Sequence, residues 1–117
     1  MILIVDDSRQ TRQMIRSIIE DLDGDFCECA DGSDALDAYA QCQPQWVLMD
    51  LAMREMNGLD ATRQIIARFP KANIAIVTSY DDNGMRLAAK QAGASDYFIK
   101  ENLFELRRLF TQAPTVD

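Results

Sequence analysis

The chain is expected to fold as a three-layer α/β domain around a parallel sheet. Three observations predict this. Short runs such as 2–5, 46–49 and 74–77 are apolar on both alternations, as strands buried on both faces are. Between them lie segments with apolar residues at helical spacing. The connections are short, and right-handed crossovers then place helices on both faces of the sheet. With 117 residues the chain makes one domain, long enough to bury roughly two-thirds of its unfolded surface.

The first strand, Ile2-Leu3-Ile4-Val5, ends in Asp6-Asp7. Ser8 can cap the next helix through its hydroxyl, and Met14, Ile15, Ile18, Ile19 and Leu22 form its inward stripe. Asp23-Gly24-Asp25 stops it, with Gly24 suited to positive φ. Phe26 to Ala30 is a second strand, and Glu28 in its middle marks it as an edge. Gly32-Ser33 opens a second helix with Ala35, Leu36, Tyr39 and Cys42 inward. Pro44 ends it, because proline cannot continue the hydrogen-bond ladder.

The run Trp46-Val47-Leu48-Met49 is the central strand and stops abruptly at Asp50. After a loop from Leu51 to Asn57, Gly58 begins a third helix. Its inward stripe is Leu59, Thr62, Ile65, Ile66 and Phe69, and Pro70 closes it. The fourth strand, Ile74-Ala75-Ile76-Val77, ends in Thr78-Ser79. A polar loop, 81–84, leads to a fourth helix with Met85, Ala88, Ala89 and Ala92 on one side, followed by a turn at Ala92-Gly93-Ala94. Tyr97-Phe98-Ile99 is the fifth strand and ends in Lys100. A last helix carries Leu103, Leu106 and Phe110.

A net charge of −7 argues against binding to nucleic acid or to an anionic membrane. The apolar runs are strand-length, too short to span a bilayer. No signal peptide is visible at the N-terminus. Cys27, Cys29 and Cys42 lack metal-ligand spacing and there is no histidine to complete a site, so they are expected to be buried structural residues in a reducing, cytoplasmic setting.

Four strands end in polar groups: Asp6-Asp7, Asp50, Thr78 and Lys100. In a parallel sheet these ends share one edge, where ligands of open α/β sheets bind. A polar residue after a strand is ordinarily just the first residue of a loop. Three acids crowded against their mutual repulsion require more than that. Hard oxygen ligands at a partly open site suit Mg²⁺, Lys100 is a point charge suited to phosphate, and Thr78 is a small donor. The set predicts magnesium-assisted phosphoryl transfer, with Asp50 on the central strand as carboxylate nucleophile.

These pieces also carry a resemblance. Ile4-Val5-Asp6-Asp7-Ser8, Val47-Leu48-Met49-Asp50-Leu51, Met56-Asn57-Gly58-Leu59, Val77-Thr78-Ser79, Ala92-Gly93-Ala94-Ser95-Asp96-Tyr97 and Phe98-Ile99-Lys100 resemble, in order, the receiver domain of bacterial two-component response regulators. The resemblance implies a flavodoxin-like (βα)5 fold with sheet order 2-1-3-4-5, a receiver over residues 1–112, and a tail or linker start at 113–117. It implies that Asp50 accepts a phosphoryl group from a histidine kinase or phosphotransfer protein. Asp6, Asp7, Asp50 and the backbone carbonyl of Ala52 would hold Mg²⁺, Lys100 would pair with a phosphate oxygen, and Thr78 and Tyr97 would form the switch. The output face would be the fourth helix, fifth strand and last helix, with Leu87, Phe104 and Leu109 as its apolar residues. It would control a downstream protein or a tethered output domain, with the chain a monomer or a weak dimer through that face. Such a domain is not an enzyme in the ordinary sense; it catalyses only its own phosphorylation and slow dephosphorylation. Glu101 follows Lys100 where the family often has proline, and Arg54 stands four residues after Asp50 where many members have proline. Tyr80, two residues past Thr78, is expected to screen the acyl phosphate from water and slow its loss.

Three other readings compete. A binding module of the same fold that is never phosphorylated would have no need of the intact Asp6, Asp7, Asp50, Thr78 and Lys100. A flavodoxin-like electron carrier would need a hydroxyl- and glycine-rich loop after the first strand, where Asp6-Asp7 would repel a flavin phosphate. A phosphatase of the haloacid dehalogenase type would place a second acid two residues after the nucleophile, where this chain has Ala52.

Overall fold

The computed structural model of the chain describes residues 1–111. The domain boundary expected at 112 and the tail at 113–117 lie outside the described residues. Five strands, β1 (Ile2–Val5), β2 (Phe26–Cys29), β3 (Trp46–Met49), β4 (Ile74–Thr78) and β5 (Asp96–Ile99), form one sheet. All neighbours are parallel, in the order β2-β1-β3-β4-β5, as expected. The helices are α1 (Arg9–Ile19), α2 (Ala35–Cys42), α3 (Gly58–Arg68), α4 (Asn83–Ala92) and α5 (Arg108–Thr111).

The strands alternate between two cores because successive side chains point to opposite faces. Leu3, Val5, Val47, Met49, Ile74 and Ile76 pack with Ala35, Ala61, Ile65 and Ala89 of α2, α3 and α4. Ile2, Ile4, Leu48, Ala75, Val77 and Phe98 pack on the other face with Ile15 and Ile19 of α1 and with Leu103 and Leu106. Each fully buried Leu or Ile contributes about 1.5–3 kcal/mol relative to exposure.

The starts of α1 and α3 follow the capping rule. The Ser8 hydroxyl accepts from the Thr11 amide at 3.2 Å, and Asn57 accepts from the Asp60 amide at 2.9 Å. Gly93 ends α4 at φ 112°, a conformation open to glycine, and a β-carbon there would press into the Ile66 side chain. Gly24 does not take the positive φ expected of it; Gln43 and Gly93 do, among the described residues. The edge reading of β2 holds: Glu28 projects outward and accepts from Arg12 Nε at 2.9 Å and Arg16 Nη1 at 2.8 Å.

Three further expectations fail. Met14 is 52% exposed. With about 100° per residue, it lies roughly 100° round the helix from Ile15 and 140° from Ile19, outside the buried arc. The last helix is 3₁₀ over Lys100–Arg107, kinked at Asn102, and α-helical at Arg108–Thr111. Leu103 and Leu106 are three apart, which matches a 3₁₀ period. The cysteines are not all thiols: Cys27 of β2 and Cys42 at the end of α2 form a disulfide, so the cysteines no longer argue for a reducing setting. Cys29 alone is free, and burial pushes its thiol up to about 11.

Candidate functional site

The sheet order places β1 and β3 side by side, and their register continues past the strand ends. Val5 faces Met49, and the Asp50 amide donates to the Val5 carbonyl at 2.9 Å. Asp50 therefore stands against the Val5–Asp6 link, and both acids are buried. Asp7 is exposed at the rim. One carboxylate oxygen from each of Asp6, Asp7 and Asp50 lies within 4.8 Å of the others.

Backbone donors orient two of these acids. Asp6 Oδ1 accepts from the Ser8 amide at 2.8 Å, and Asp50 Oδ1 accepts from the Leu51 amide at 2.9 Å. Their other oxygens face Lys100, whose Nζ lies 3.0 Å from Asp6 Oδ2 and 3.4 Å from Asp50 Oδ2. Burial and the neighbouring Asp6 charge push the Asp50 carboxyl up to about 6, against the pull of Lys100. Burial alone would lower the Lys100 ammonium, but Asp6 and Asp50 outweigh it and raise it.

Asp6 Oδ2 is buried and makes no hydrogen bond of good direction; the Lys100 charge is its compensation. A buried carboxylate oxygen short of donors, beside two further carboxylates, is a hard-oxygen set that fits a divalent cation such as Mg²⁺. The cluster can hold a metal. Ala52, whose carbonyl is the fourth expected ligand, is exposed in the loop after Asp50.

Thr78 ends β4 and is buried. Its Oγ1 accepts from the Tyr80 amide at 3.4 Å. The Tyr80 carbonyl in turn accepts from the Tyr97 hydroxyl at 2.6 Å. Tyr97 is half-buried on the edge strand β5, with the Arg86 guanidinium 4.6 Å from its ring centre. Main-chain atoms of Tyr80 thus join the two residues expected to act as a switch. Leu87 of α4 and Phe104 of the 3₁₀ segment Lys100–Arg107 are exposed, but Leu109 packs against the core rather than facing outward. No cis peptide occurs among the described residues, so Lys100-Glu101 is trans.

Asp31 escaped the sequence reading. It follows β2, and its carboxylate accepts from the amides of Ser33, Glu55 and Met56 at 2.9, 2.9 and 3.0 Å. Burial alone would raise this group, but those amides outweigh it and bring it down to about 2. The Asp-Gly-Ser sequence signals the local bond to Ser33. The two bonds to the 51–57 loop come from a distant segment and leave no local signature.

Among the described residues, no helix is long and apolar enough to cross a membrane. Residues 2–112 match the family described as the response regulator receiver domain. The chain is similar to the chemotaxis protein CheY of Listeria monocytogenes, 36% identical over 100 residues that cover 85% of this chain and 84% of that one. Among solved structures it resembles a LuxR-family two-component response regulator from Aurantimonas sp., with TM-score 0.84 and 34% identity over 92% of this chain and 79% of that one. It also resembles the response regulator domain of Thermotoga maritima CheB, with TM-score 0.82 and 27% identity over 99% and 96%.

Proposed function

The chain belongs to the response regulator receiver domain family of two-component signalling, and from that premise we propose that Asp50 is its phosphoacceptor, charged by a histidine kinase or a phosphotransfer protein. The observation that supports this most is the meeting of Asp6, Asp7, Asp50 and Lys100 at one edge of the sheet. A carboxylate oxygen of Asp50 attacks the phosphorus of a phosphohistidine. The O–P bond forms as the N–P bond breaks, and the imidazole nitrogen keeps the electron pair and takes a proton from water. With its carboxyl at about 6, Asp50 is largely ionised at neutral pH and poorly satisfied by donors, as a nucleophile should be.

Asp6, Asp7, Asp50 and the Ala52 carbonyl would hold Mg²⁺, which would supply positive charge for the oxygens of the transferring group. Lys100 pairs with one phosphate oxygen, and the Thr78 hydroxyl turns to donate to another. When Thr78 turns, its Oγ1 leaves the Tyr80 amide, and the Tyr80 carbonyl that anchors Tyr97 is freed to shift. Phosphorylation thereby biases the α4, β5 and α5 face, where Leu87 and Phe104 offer apolar contact. That face controls a downstream protein or a tethered output domain, or pairs weakly with a second copy. The receiver spans residues 1–112 and works in the cytoplasm; its acidity keeps it from binding nucleic acid directly. Its catalysis is confined to its own phosphorylation and slow dephosphorylation, which Tyr80, exposed beside the site, slows by screening the phosphoryl group.

The test is incubation of the purified chain with Mg²⁺ and acetyl phosphate, followed by intact-mass measurement. One phosphoryl increment is expected on the wild type and none on Asp50→Asn, and its decay should quicken in Tyr80→Ala. An increment that persists in Asp50→Asn would sink the assignment.

A further inference from the structure

We propose that Asp31 is a positioning residue for the Asp50 site: its carboxylate fixes the backbone of the 51–57 loop and so sets the aim of the Asp50 carboxylate and the Ala52 carbonyl. The proposal rests on the reading of Asp50 as phosphoacceptor and deepens it.

The loop is held at both ends. At its far end Asp31 Oδ1 accepts from the Glu55 amide at 2.9 Å, and Oδ2 accepts from the Met56 amide at 3.0 Å. The same Oδ2 accepts from the Ser33 amide at 2.9 Å, capping the 3₁₀ turn Gly32–Asp34. The carboxylate therefore joins the turn after β2 to the loop after β3. Ser33 adds a bond from its hydroxyl to Glu55 Oε2 at 3.1 Å. Gly32 is buried, and a β-carbon there would collide with the Met56 carbonyl, so the loop backbone lies directly on the turn.

At its near end the loop governs Asp50 itself. The Leu51 amide donates to Asp50 Oδ1, and the Leu51 carbonyl accepts from the Gly58 amide at 2.9 Å. A β-carbon on Gly58 would collide with the Asp50 carbonyl. Between these anchors lie Ala52, Met53 and Arg54, which make no hydrogen bond to the turn. Freeing residues 55 and 56 would let the Leu51 and Ala52 peptides rotate. Bonds from N–H to a carboxylate are roughly twice as strong as neutral ones, and the lowered Asp31 carboxyl agrees with a group that is held charged. Residues that orient metal-site ligands in this way typically cost 10- to 100-fold in affinity or activity when removed.

The experiment uses the full chain as wild type, Asp31→Ala, Asp31→Asn and Gly32→Ala. Mn²⁺ affinity is read from the free-ion paramagnetic resonance signal without phosphodonor. The rate of phosphorylation by acetyl phosphate and the hydrogen exchange of the Glu55 and Met56 amides are read separately. In Asp31→Ala the two amides should lose protection, and Mn²⁺ affinity and phosphorylation rate should each fall about tenfold. Asp31→Asn, which keeps one acceptor oxygen, should recover part of both losses. Gly32→Ala, which pushes the loop away and leaves the carboxylate intact, should lose both in the same direction. If Asp31→Ala does not fold, Asp31→Asn and Gly32→Ala carry the test. Lost amide protection with unchanged Mn²⁺ affinity and unchanged rate would overturn the proposal and leave Asp31 as a structural cap. A wild type that takes no phosphoryl group would sink the phosphoacceptor reading alone, and the Mn²⁺ arm would still decide the role of Asp31; a wild type that binds neither would sink both.

Discussion

Asp50 and Asp31 are both carboxylates placed just after a strand, and the fold treats them in opposite ways. Asp31 is given three backbone amides and its carboxyl falls to about 2. Asp50 is given one amide and a second buried acid at its side, and its carboxyl rises to about 6. The difference separates two uses of a charged group. A carboxylate with its acceptor sites filled ties segments together and has little left to offer an incoming phosphorus. A carboxylate short of donors stores unfavourable energy that a cation or a phosphoryl group can relieve.

The sharpest way to break the comparison is to remove Lys100, the cation that keeps Asp50 from rising further. Lys100→Ala should slow phosphorylation by acetyl phosphate about a hundredfold, the scale set by loss of one charge-stabilising donor. A pH–rate profile of the variant should also place the Asp50 midpoint above that of the wild type. An unmoved midpoint would mean that Lys100 does not act on Asp50 through its charge.

The next effect is on stability, measured on metal-free protein by denaturant titration at a series of pH values. Asp50 releases its proton near 3.8 when unfolded but at about 6 when folded. The folded state binds more protons across that window, so stability should fall as pH rises through it. Asp31 has the opposite sign: its contribution is present above 3.8 and is lost as pH falls towards about 2. Asp50→Asn should flatten the upper slope and leave the lower one. A stability that climbs between 3.8 and 6 in the wild type would contradict the raised Asp50 carboxyl.

The smallest effect concerns a third polar group that has neither donors nor a task. The Thr62 hydroxyl of α3 is buried without a partner. Thr62→Val should raise the denaturant midpoint by the equivalent of about 1 kcal/mol at constant slope, with phosphorylation unchanged. A loss of activity there would show that an unsatisfied group outside the acid cluster also matters to function.

Most of the acid cluster was legible because it is written at strand ends. Uniform apolar runs locate Asp6, Asp50, Thr78 and Lys100 without any knowledge of the fold, and parallel pairing does the rest. The helical stripes locate the cores but not their width, so the spacing alone draws Met14 inward although it is exposed. What stayed hidden depends on contacts between distant segments. Cys27 and Cys42 are separated by 15 positions and meet because α2 packs beside β2. Asp31 reaches Glu55 and Met56 for the same kind of reason, since the turns after β2 and β3 are brought together by the sheet order. The 3₁₀ character of the last segment was partly visible in the Leu103–Leu106 spacing, but the kink at Asn102 was not.

The linkage between Thr78 and Tyr97 runs through the amide and carbonyl of Tyr80 and bypasses its phenol. If Asp50 carries phosphate as proposed, a clock and a lever would share one position without sharing atoms. Exchanging the ring for another side chain should then reset how long the signal lasts while the mechanical connection survives, and duration and transmission could be tuned separately.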